Sequence, residues 1–468
     1  MSRTLLIPLL IPLLLISGCQ PQLFTQKKTL SEFPQPPTWT AAPTADQSEP
    51  GAWLDSFTDP TLYRLITEGL QNNFSLQSAA ARIRAAQARA TQAGAELLPT
   101  AILDSSAARR KTQPSGSVNN SFSLTGRVQW EIDLWGRFDL SARAATAEAK
   151  ATQTDYRAAQ LSLAANIARS WFQLCEAGLQ LRLAEQIVAS YQQSLQVIEE
   201  QYRSGLTSAL DLRLARSELS SAQASQAERA RLFDSGQRAL EQLLGRYPSG
   251  SLASSHQLPE LSAELPVGLP STLLQRRPDI QASELRLQAA ELRTTAAQRN
   301  RLPTFALTGS AGTASERLYR LLDWDYLVWS LAASATQSLF DGGRKAAEQQ
   351  LTKAQFDEQL NTYAEKLLTA FREVEGSLAS EDSLRNQERA LQQTVSEADE
   401  AQHLAEQRYR QGLEGIITLL ETQRRAFSAR SNLLRTSRLR LENRVDLHLA
   451  LAGPIGTFIP LHEGMETP

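Results

Sequence analysis

The chain has 468 residues, 42% of them hydrophobic and 6% aromatic, with 48 Lys+Arg against 50 Asp+Glu and a net charge of −2. That balance lacks the basic surplus a nucleic-acid-binding surface needs, and two cysteines cannot build a disulfide framework. Ala, Gln, Leu, Arg and Glu dominate long stretches, a composition that suits long helices packed closely through small side chains.

At the amino end, Arg3 precedes an apolar run from Leu5 to Ile16 that contains Pro8 and Pro12. It is too short to span a bilayer as a helix, which takes about 20 apolar residues, and reads as the core of a secretory signal over residues 1–18. Directly behind it, Ile16-Ser17-Gly18-Cys19 resembles a bacterial lipobox, which predicts a covalent lipid on Cys19 and no other cofactor. One acyl chain binds membranes marginally, whereas two or three anchor durably, each buried CH₂ contributing about 0.8 kcal/mol. Gln20, where an aspartate would retain the protein at the inner membrane, resembles the sorting rule that favours the outer membrane. With Cys19 acylated, Cys175 has no intrachain partner. An acylated, Pro-rich segment is expected over 19–58. No later apolar stretch approaches 18 residues, so no transmembrane helix is expected.

From there the chain repeats itself. Gln77, Arg82, Ala85, Ala86 and Pro99-Thr100 recur 204 residues later as Gln281, Arg286, Ala289, Ala290 and Pro303-Thr304. Further on the offset is 207: Gly136-Arg137 returns as Gly343-Arg344, and Tyr202-Arg203-Ser204-Gly205-Leu206 as Tyr409-Arg410-Gln411-Gly412-Leu413. An ordered series of this kind is a duplication, with repeats over 59–245 and 271–453, a linker at 246–270 and a tail at 454–468. Each half reads as a helix (60–97, then 271–301) stopped by a proline. Two extended segments follow, then a helix of about 65 residues, a glycine turn and a second long helix. At 1.5 Å per residue the longest helices reach about 97 Å, far beyond an ordinary globular helix, so they must be bundled. On the first, Leu161, Ala164, Ala168, Trp171, Cys175, Leu179, Leu183, Ile187, Tyr191, Leu195, Ile198 and Tyr202 step by 3 or 4, a sustained packing seam.

The extended segments alternate. Phe122, Leu124, Gly126, Val128, Trp130, Ile132 and Leu134 interleave with Ser123, Thr125, Arg127, Gln129, Glu131 and Asp133. Such a strand sets one face in an apolar medium and the other in water. Leu327, Trp329, Leu331, Ala333 and Ala335 repeat the pattern more weakly, and the segments beginning at Thr100 and Thr304 more weakly still. Four open strands cannot sit in lipid with bare edges, so closure requires several copies of the chain.

At Gly268-Leu269-Pro270-Ser271, Leu274 and Arg276-Arg277-Pro278-Asp279-Ile280 the sequence resembles the NodT-like outer-membrane efflux lipoproteins, the TolC-family branch that serves resistance-nodulation-division pumps. The resemblance covers essentially the whole mature chain. It implies a mainly α fold with a small transmembrane β part: four strands per chain completing a 12-stranded trimeric β-barrel, joined to a 12-helix α-barrel tunnel. The partners it implies are two further copies of the chain, a periplasmic adaptor and the inner-membrane pump. Arg276-Arg277-Pro278-Asp279 reads as a helix start near the tunnel's waist, with Pro278 opening the helix and Asp279 favouring its dipole. In the efflux members of this family an apolar ring and an acidic ring narrow the periplasmic end. Along Thr418-Leu419-Leu420-Glu421-x-Gln423-Arg424 those roles fall on Ile417 and Glu421. The longer Glu421 replaces the family's usual aspartate, and Thr418 replaces a second acid. Asp211 matches an acid that holds the helices shut through bonds to Tyr409, with Arg410 beside it.

Enzyme readings find little support. His256, His403, His448 and His462 are scattered, no metal-ligand spacing or phosphate loop occurs, and Asp323-Trp324-Asp325 belongs to a hairpin tip. The function expected is passive conduction of small molecules outward across the outer membrane. The competing readings are a type I protein-secretion duct and a coiled-coil lipoprotein without a pore.

Overall fold

The computed structural model describes residues 38–41, 53–111, 117–255, 257–261 and 276–453. Cys19, Gly268-Leu269-Pro270-Ser271, Leu274 and the tail lie outside them. Among the described residues, 83–152 and 283–364 form one compact unit, while 38–82, 153–261, 276–282 and 365–453 belong to a second.

The first unit carries the sheet. Strands β1 (Thr100–Lys111), β2 (Val118–Ile132), β3 (Thr304–Ser315) and β4 (Leu327–Thr336) run antiparallel in the order β1-β2-β3-β4. Leu134, expected within β2, lies just past it, where its N–H donates to the Ile132 carbonyl at 2.8 Å. Register carries the alternation from strand to strand. Val128 pairs with Ala101 and Gly309, and Gly309 with Leu331; Gly126 pairs with Leu103 and Ala311, and Ala311 with Trp329. Leu103, Phe122, Leu124, Val128, Leu331 and Trp329 therefore share one face. The opposite face is polar: the Ser106 and Ser123 hydroxyls lie 2.8 Å apart, as do those of Ser310 and Ser330, and Arg127 pairs with Asp104 at 3.7 Å. Trp329 and Leu331 are 72% and 70% exposed, so the apolar face is left to the surroundings, which suits a band of lipid. In membrane-inserted protein, cysteines at Arg127, Gln129 and Ser330 should react with a small water-soluble thiol reagent, and cysteines at Val128 and Leu331 should not. Equal labelling of the two sets would remove the assignment.

In place of the single helix expected over 60–97 there are two, α1 (Pro60–Asn72) and α2 (Phe74–Ala95). Asn73 separates them. Its backbone is extended, its Nδ2 donates to the Leu243 carbonyl at 2.8 Å and its Oδ1 accepts from Leu76 N–H at 3.1 Å. The long helices α3 (Arg137–Arg203) and α6 (Arg344–Arg410) each have 67 residues, and the return helices α4 (Ala209–Leu243) and α7 (Ile416–Leu451) have 35 and 36. Helix α5 (Pro278–Arg299) opens at Pro278 as the sequence implies.

The second unit's core gathers Leu62, Leu65 and Ile66 of α1, Ile167, Trp171, Phe172 and Leu174 of α3, Leu240 with Leu244, and Leu441 and Val445 of α7. The predicted seam positions Ala164, Ala168, Trp171 and Cys175 are buried, and Ile167, Phe172 and Leu174 bury beside them, so this stretch of α3 is covered over a wider arc than one stripe. Tyr202, the seam's last step, is 43% exposed. Gly69 permits the close approach of α1 to α3: a Cβ there would sit 2.3 Å from Ile167 Cδ1. Asp59 joins the two helices, capping α1 through Thr61 N–H at 2.8 Å and accepting from Trp171 Nε1 at 2.7 Å.

Buried charge adds cross-links. Arg277 donates to Asp279 at 2.8 and 3.0 Å, to Glu373 at 2.6 Å and to the Ala450 carbonyl at 3.2 Å, tying the start of α5 to α6 and α7. Glu381 of α6 is nearly covered and accepts from Arg444 at 3.1 Å, Arg440 at 3.4 Å and Asn443 at 3.4 Å. Ahead of α1, Trp39 is 2% exposed and meets Phe371 edge-on at 6.3 Å, while the Thr40 and Ala41 N–H groups donate to the Glu375 carboxylate at 2.7 and 2.8 Å.

Candidate functional site

The candidate gate lies where the two long helices of the second unit end. Each stops in the same way. Gly205 and Gly412 both have φ of +72°, a left-handed conformation that glycine adopts without Cβ strain. At the first turn Leu206 N–H donates to Gln201 O at 2.8 Å and Gly205 N–H to Tyr202 O at 3.0 Å; at the second, Leu413 donates to Arg408 at 2.9 Å and Gly412 to Tyr409 at 3.0 Å. These paired bonds close the last carbonyls of a helix, which explains why the Tyr-Arg-x-Gly-Leu run occurs twice.

The return helices start differently. In α4, Ser208 Oγ accepts from Asp211 N–H at 3.2 Å, and Asp211 Oδ2 accepts from Ser208 N–H at 3.1 Å and from the Ser208 and Thr207 hydroxyls at 2.8 Å each. This is a reciprocal capping box. The Ser208 hydroxyl first, then that of Thr207, holds the Asp211 carboxyl below the usual carboxylate range. Helix α7 starts from Gly415, which offers no side-chain cap, and Thr418 stands where Asp211 stands in the first repeat.

Within one chain the expected bond from Asp211 to Tyr409 is replaced by another. Tyr409 is buried, and its hydroxyl donates to Gln201 Oε1 at 2.9 Å. The acid is near enough to be felt: burial raises the tyrosine's pKa, and the Asp211 charge raises it further. Its Oδ2, however, accepts from Ser208 and Thr207, donors within four residues. Arg410 is exposed, and its neighbour Arg408 pairs with Glu414 at 3.6 Å.

The start of α7 has two faces. Ile416, Leu419, Leu420 and Phe427 are buried with Tyr409, Ile198 and Leu212, and Tyr191 meets Phe427 edge-on at 6.0 Å. Gln423 lies on this apolar stripe, 1% exposed, with its Nε2 3.3 Å from Ser190 Oγ, 3.2 Å from Ser194 Oγ and 3.4 Å from Glu406 Oε1. Sequence reasoning assigned no role to Gln201 or Gln423. A polar residue at a stripe position was the legible sign for Gln423; Gln201 gave none. On the other face Ile417, Glu421 and Arg425 follow at steps of four. Ile417 is 64% exposed, and Glu421 Oε1 accepts from Arg425 Nη2 at 2.7 Å. Leu206, Leu210 and Leu413 are also exposed at the turns. Among the described residues no His, Cys, Asp and Glu group is arranged to hold a metal, and no helix is long and apolar enough to cross a membrane.

Over residues 65–246 and 269–453 the chain matches the outer membrane efflux protein family. It is 33% identical over 406 residues to the solvent efflux pump outer membrane protein SrpC of Pseudomonas putida, covering 85% of this chain and 86% of that one. Against the outer membrane protein OprJ of Pseudomonas aeruginosa it is 32% identical over 424 residues, 88% of each chain. Among solved structures it resembles the open state of the MtrE outer membrane channel of Neisseria gonorrhoeae, with a TM-score of 0.81 and 29% identity over 91% of this chain and 96% of that one.

Proposed function

We propose, from the premise that this chain belongs to the outer membrane efflux protein family, that it is the outer-membrane channel of a tripartite efflux system, conducting small molecules passively to the exterior. The observation that carries this reading is the sheet: one apolar face, one polar face and two open edges, β1 and β4, in a chain whose long helices end in paired turns. Bare strand edges are not tolerated in lipid, and pairing β1 of one copy with β4 of the next removes them. Three copies would close 12 strands, as in the family the sequence resembles. Family and relatives are channel proteins rather than enzymes. An inner-membrane resistance-nodulation-division pump would supply the energy, and a periplasmic adaptor would engage the turns at Gly205 and Gly412.

Purified protein in a planar bilayer tests the reading: discrete conductance steps are expected, whereas a coiled-coil lipoprotein without a pore gives none. Asp211→Ala combined with Tyr409→Phe removes the capping carboxylate and the bond to Gln201. Each lost bond is worth about 0.5–1.5 kcal/mol, and three copies should together raise conductance severalfold. A double variant that conducts like the parent would place the closing contacts elsewhere.

Lipidation of Cys19 completes the reading. The mature protein should begin at Cys19 and carry two or three acyl chains by intact mass, an unmodified cysteine refuting it. Cys19→Ala should leave conductance unchanged, because the closed barrel inserts without the lipid.

A further inference from the structure

The sheet has a rim opposite the ends where its strands join the helices, where β1 passes to β2 and β3 to β4. Strand β1 ends at this rim as Arg109-Arg110-Lys111, all three exposed. No acidic residue occurs in the sequence between Asp104 and Glu131 to offset them. Register separates the three. Ala107 pairs with Phe122, Arg109 with Asn120 and Lys111 with Val118, so Arg109 and Lys111 stand on the apolar face, directly beyond the band of Leu103, Phe122 and Val128. Arg110 stands on the polar face with Asp104. Two cations on one edge of a strand are about 7 Å apart.

The neighbouring hairpin adds to this rim. After β3, two short helical turns (Leu318–Arg320 and Trp324–Tyr326) order a loop in which Arg317 Nη1 donates to the Tyr319 hydroxyl at 2.8 Å. Arg320 donates to the Tyr326 hydroxyl at 2.5 Å and lies 5.7 and 5.8 Å from the Tyr319 and Tyr326 rings. Leu318, Leu322 and Trp324 are 63%, 78% and 80% exposed around them. The loop also has acids, Glu316, Asp323 and Asp325, and Asp323 accepts from Asp325 N–H at 3.2 Å. Leaving out Arg110 on the other face, the four basic side chains Arg109, Lys111, Arg317 and Arg320 outnumber these three acids. Cations with long apolar stems beside exposed leucine and tryptophan are what a polar–apolar boundary selects.

We propose that this rim is a binding surface for the phosphorylated glycolipid headgroups of the outer membrane's external leaflet. Arg109 and Lys111 grip a phosphomonoester from the apolar face, and Leu318, Leu322 and Trp324 lie against the adjoining acyl chains. The proposal rests on the outer-membrane placement above. Its charge argument is specific: a phosphomonoester carries about −1.5 to −2 at neutral pH, which matches two adjacent cations, whereas a singly charged phosphodiester such as phosphatidylglycerol leaves one uncompensated. Arginine supplies planar, bidentate donation to phosphate and lysine a point charge.

The test uses purified full-length trimer in detergent, titrated with bis-phosphorylated lipid A and with the same lipid after phosphatase treatment. Phosphatidylglycerol is the anionic-lipid comparison and inorganic phosphate the soluble competitor. Arg109→Gln with Lys111→Gln should weaken lipid A binding by about tenfold or more, Arg109→Lys should lose less than that because it keeps the charge without the bidentate donation, and Arg110→Gln should change nothing, being on the other face. Millimolar inorganic phosphate should not displace the lipid. The proposal is overturned if the double variant binds like the parent or if Arg110→Gln loses as much. It is equally overturned if the dephosphorylated lipid or phosphatidylglycerol binds equally well, or if free phosphate displaces the lipid. Conductance of the same samples separates the two readings: conducting samples without selective lipid binding refute the rim alone, and non-conducting parent protein refutes the channel.

Discussion

Replacing Arg425 with glutamine will make the channel cation-selective, and replacing Glu421 with glutamine will make it anion-selective. Glu421 alone would present three negative charges around the axis of the proposed trimer, as the sequence implies for the acidic ring. The structure places Arg425 one turn further along the same exposed face, its guanidinium 2.7 Å from the carboxylate. With side chains 42% and 74% exposed, the pair adds only about 0.3–0.5 kcal/mol to helix stability. Each variant should therefore fold and assemble like the parent while its charge effect is read. In the parent the pair would leave the proposed ring electrically compensated, so weak selectivity is expected. Neutralising either partner uncovers three like charges beside Ile417, where a narrow passage makes them most effective. Reversal potentials across a KCl gradient should move in opposite directions for the two variants, by roughly a severalfold change in permeability ratio each way. If neither moves, the stripe of Ile417, Glu421 and Arg425 does not line the passage.

The largest stability loss from a single polar residue is expected at Glu381. Its side chain is 9% exposed and faces Arg444, itself 4% exposed, at 3.1 Å, with Arg440 at 3.4 Å and Asn443 Nδ2 at 3.4 Å. Removing one member of a buried ion pair strands the other's charge in a poorly solvated site, at a cost of about 3–5 kcal/mol. Glu381→Ala should lower the unfolding temperature and the yield of assembled protein. Asp382, the next residue, pairs with Arg385 at 3.4 Å with its own side chain 70% exposed. Asp382→Ala should change stability by no more than about 0.5 kcal/mol. Thermal unfolding of the two variants side by side measures the difference, and equal losses would mean that Glu381 is not buried in the assembled protein.

What the sequence made legible is what repeats or alternates. The matched Gly136/Gly343 and Gly205/Gly412 pairs bracket two helices of identical length, and the same closing bonds end both at Gly205 and Gly412. The odd–even pattern from Phe122 identified the apolar face of β2, and pairing register extended it to β3 and β4, where it is weaker in sequence. The break at Asn73 was illegible, since a lone asparagine in a helical run shows its meaning only when the Leu243 carbonyl lies beside it. The buried charges fall in the same class. Arg277 read as part of a helix start, but its contacts with Glu373 and Ala450 depend on which helices become neighbours. At the gate, the family pattern drew attention to Glu421 and away from Arg425, although four-residue spacing already allowed the pair.

The unequal beginnings of α4 and α7 give the proposed ring a built-in alternation of stiffness. The Asp211 amide in the first turn of α4 is held by the Ser208 hydroxyl, and Asp211 in turn holds the Ser208 N–H; the first-turn amides of α7 face Gly415, which offers them no side-chain acceptor. An uncapped first turn frays at lower cost. Around a threefold axis this places three firm hairpins between three compliant ones. Amide hydrogen exchange will be faster at 416–419 than at 209–212, and dilation of the tunnel mouth will proceed as a three-lobed motion of the compliant set rather than as an even widening of all six.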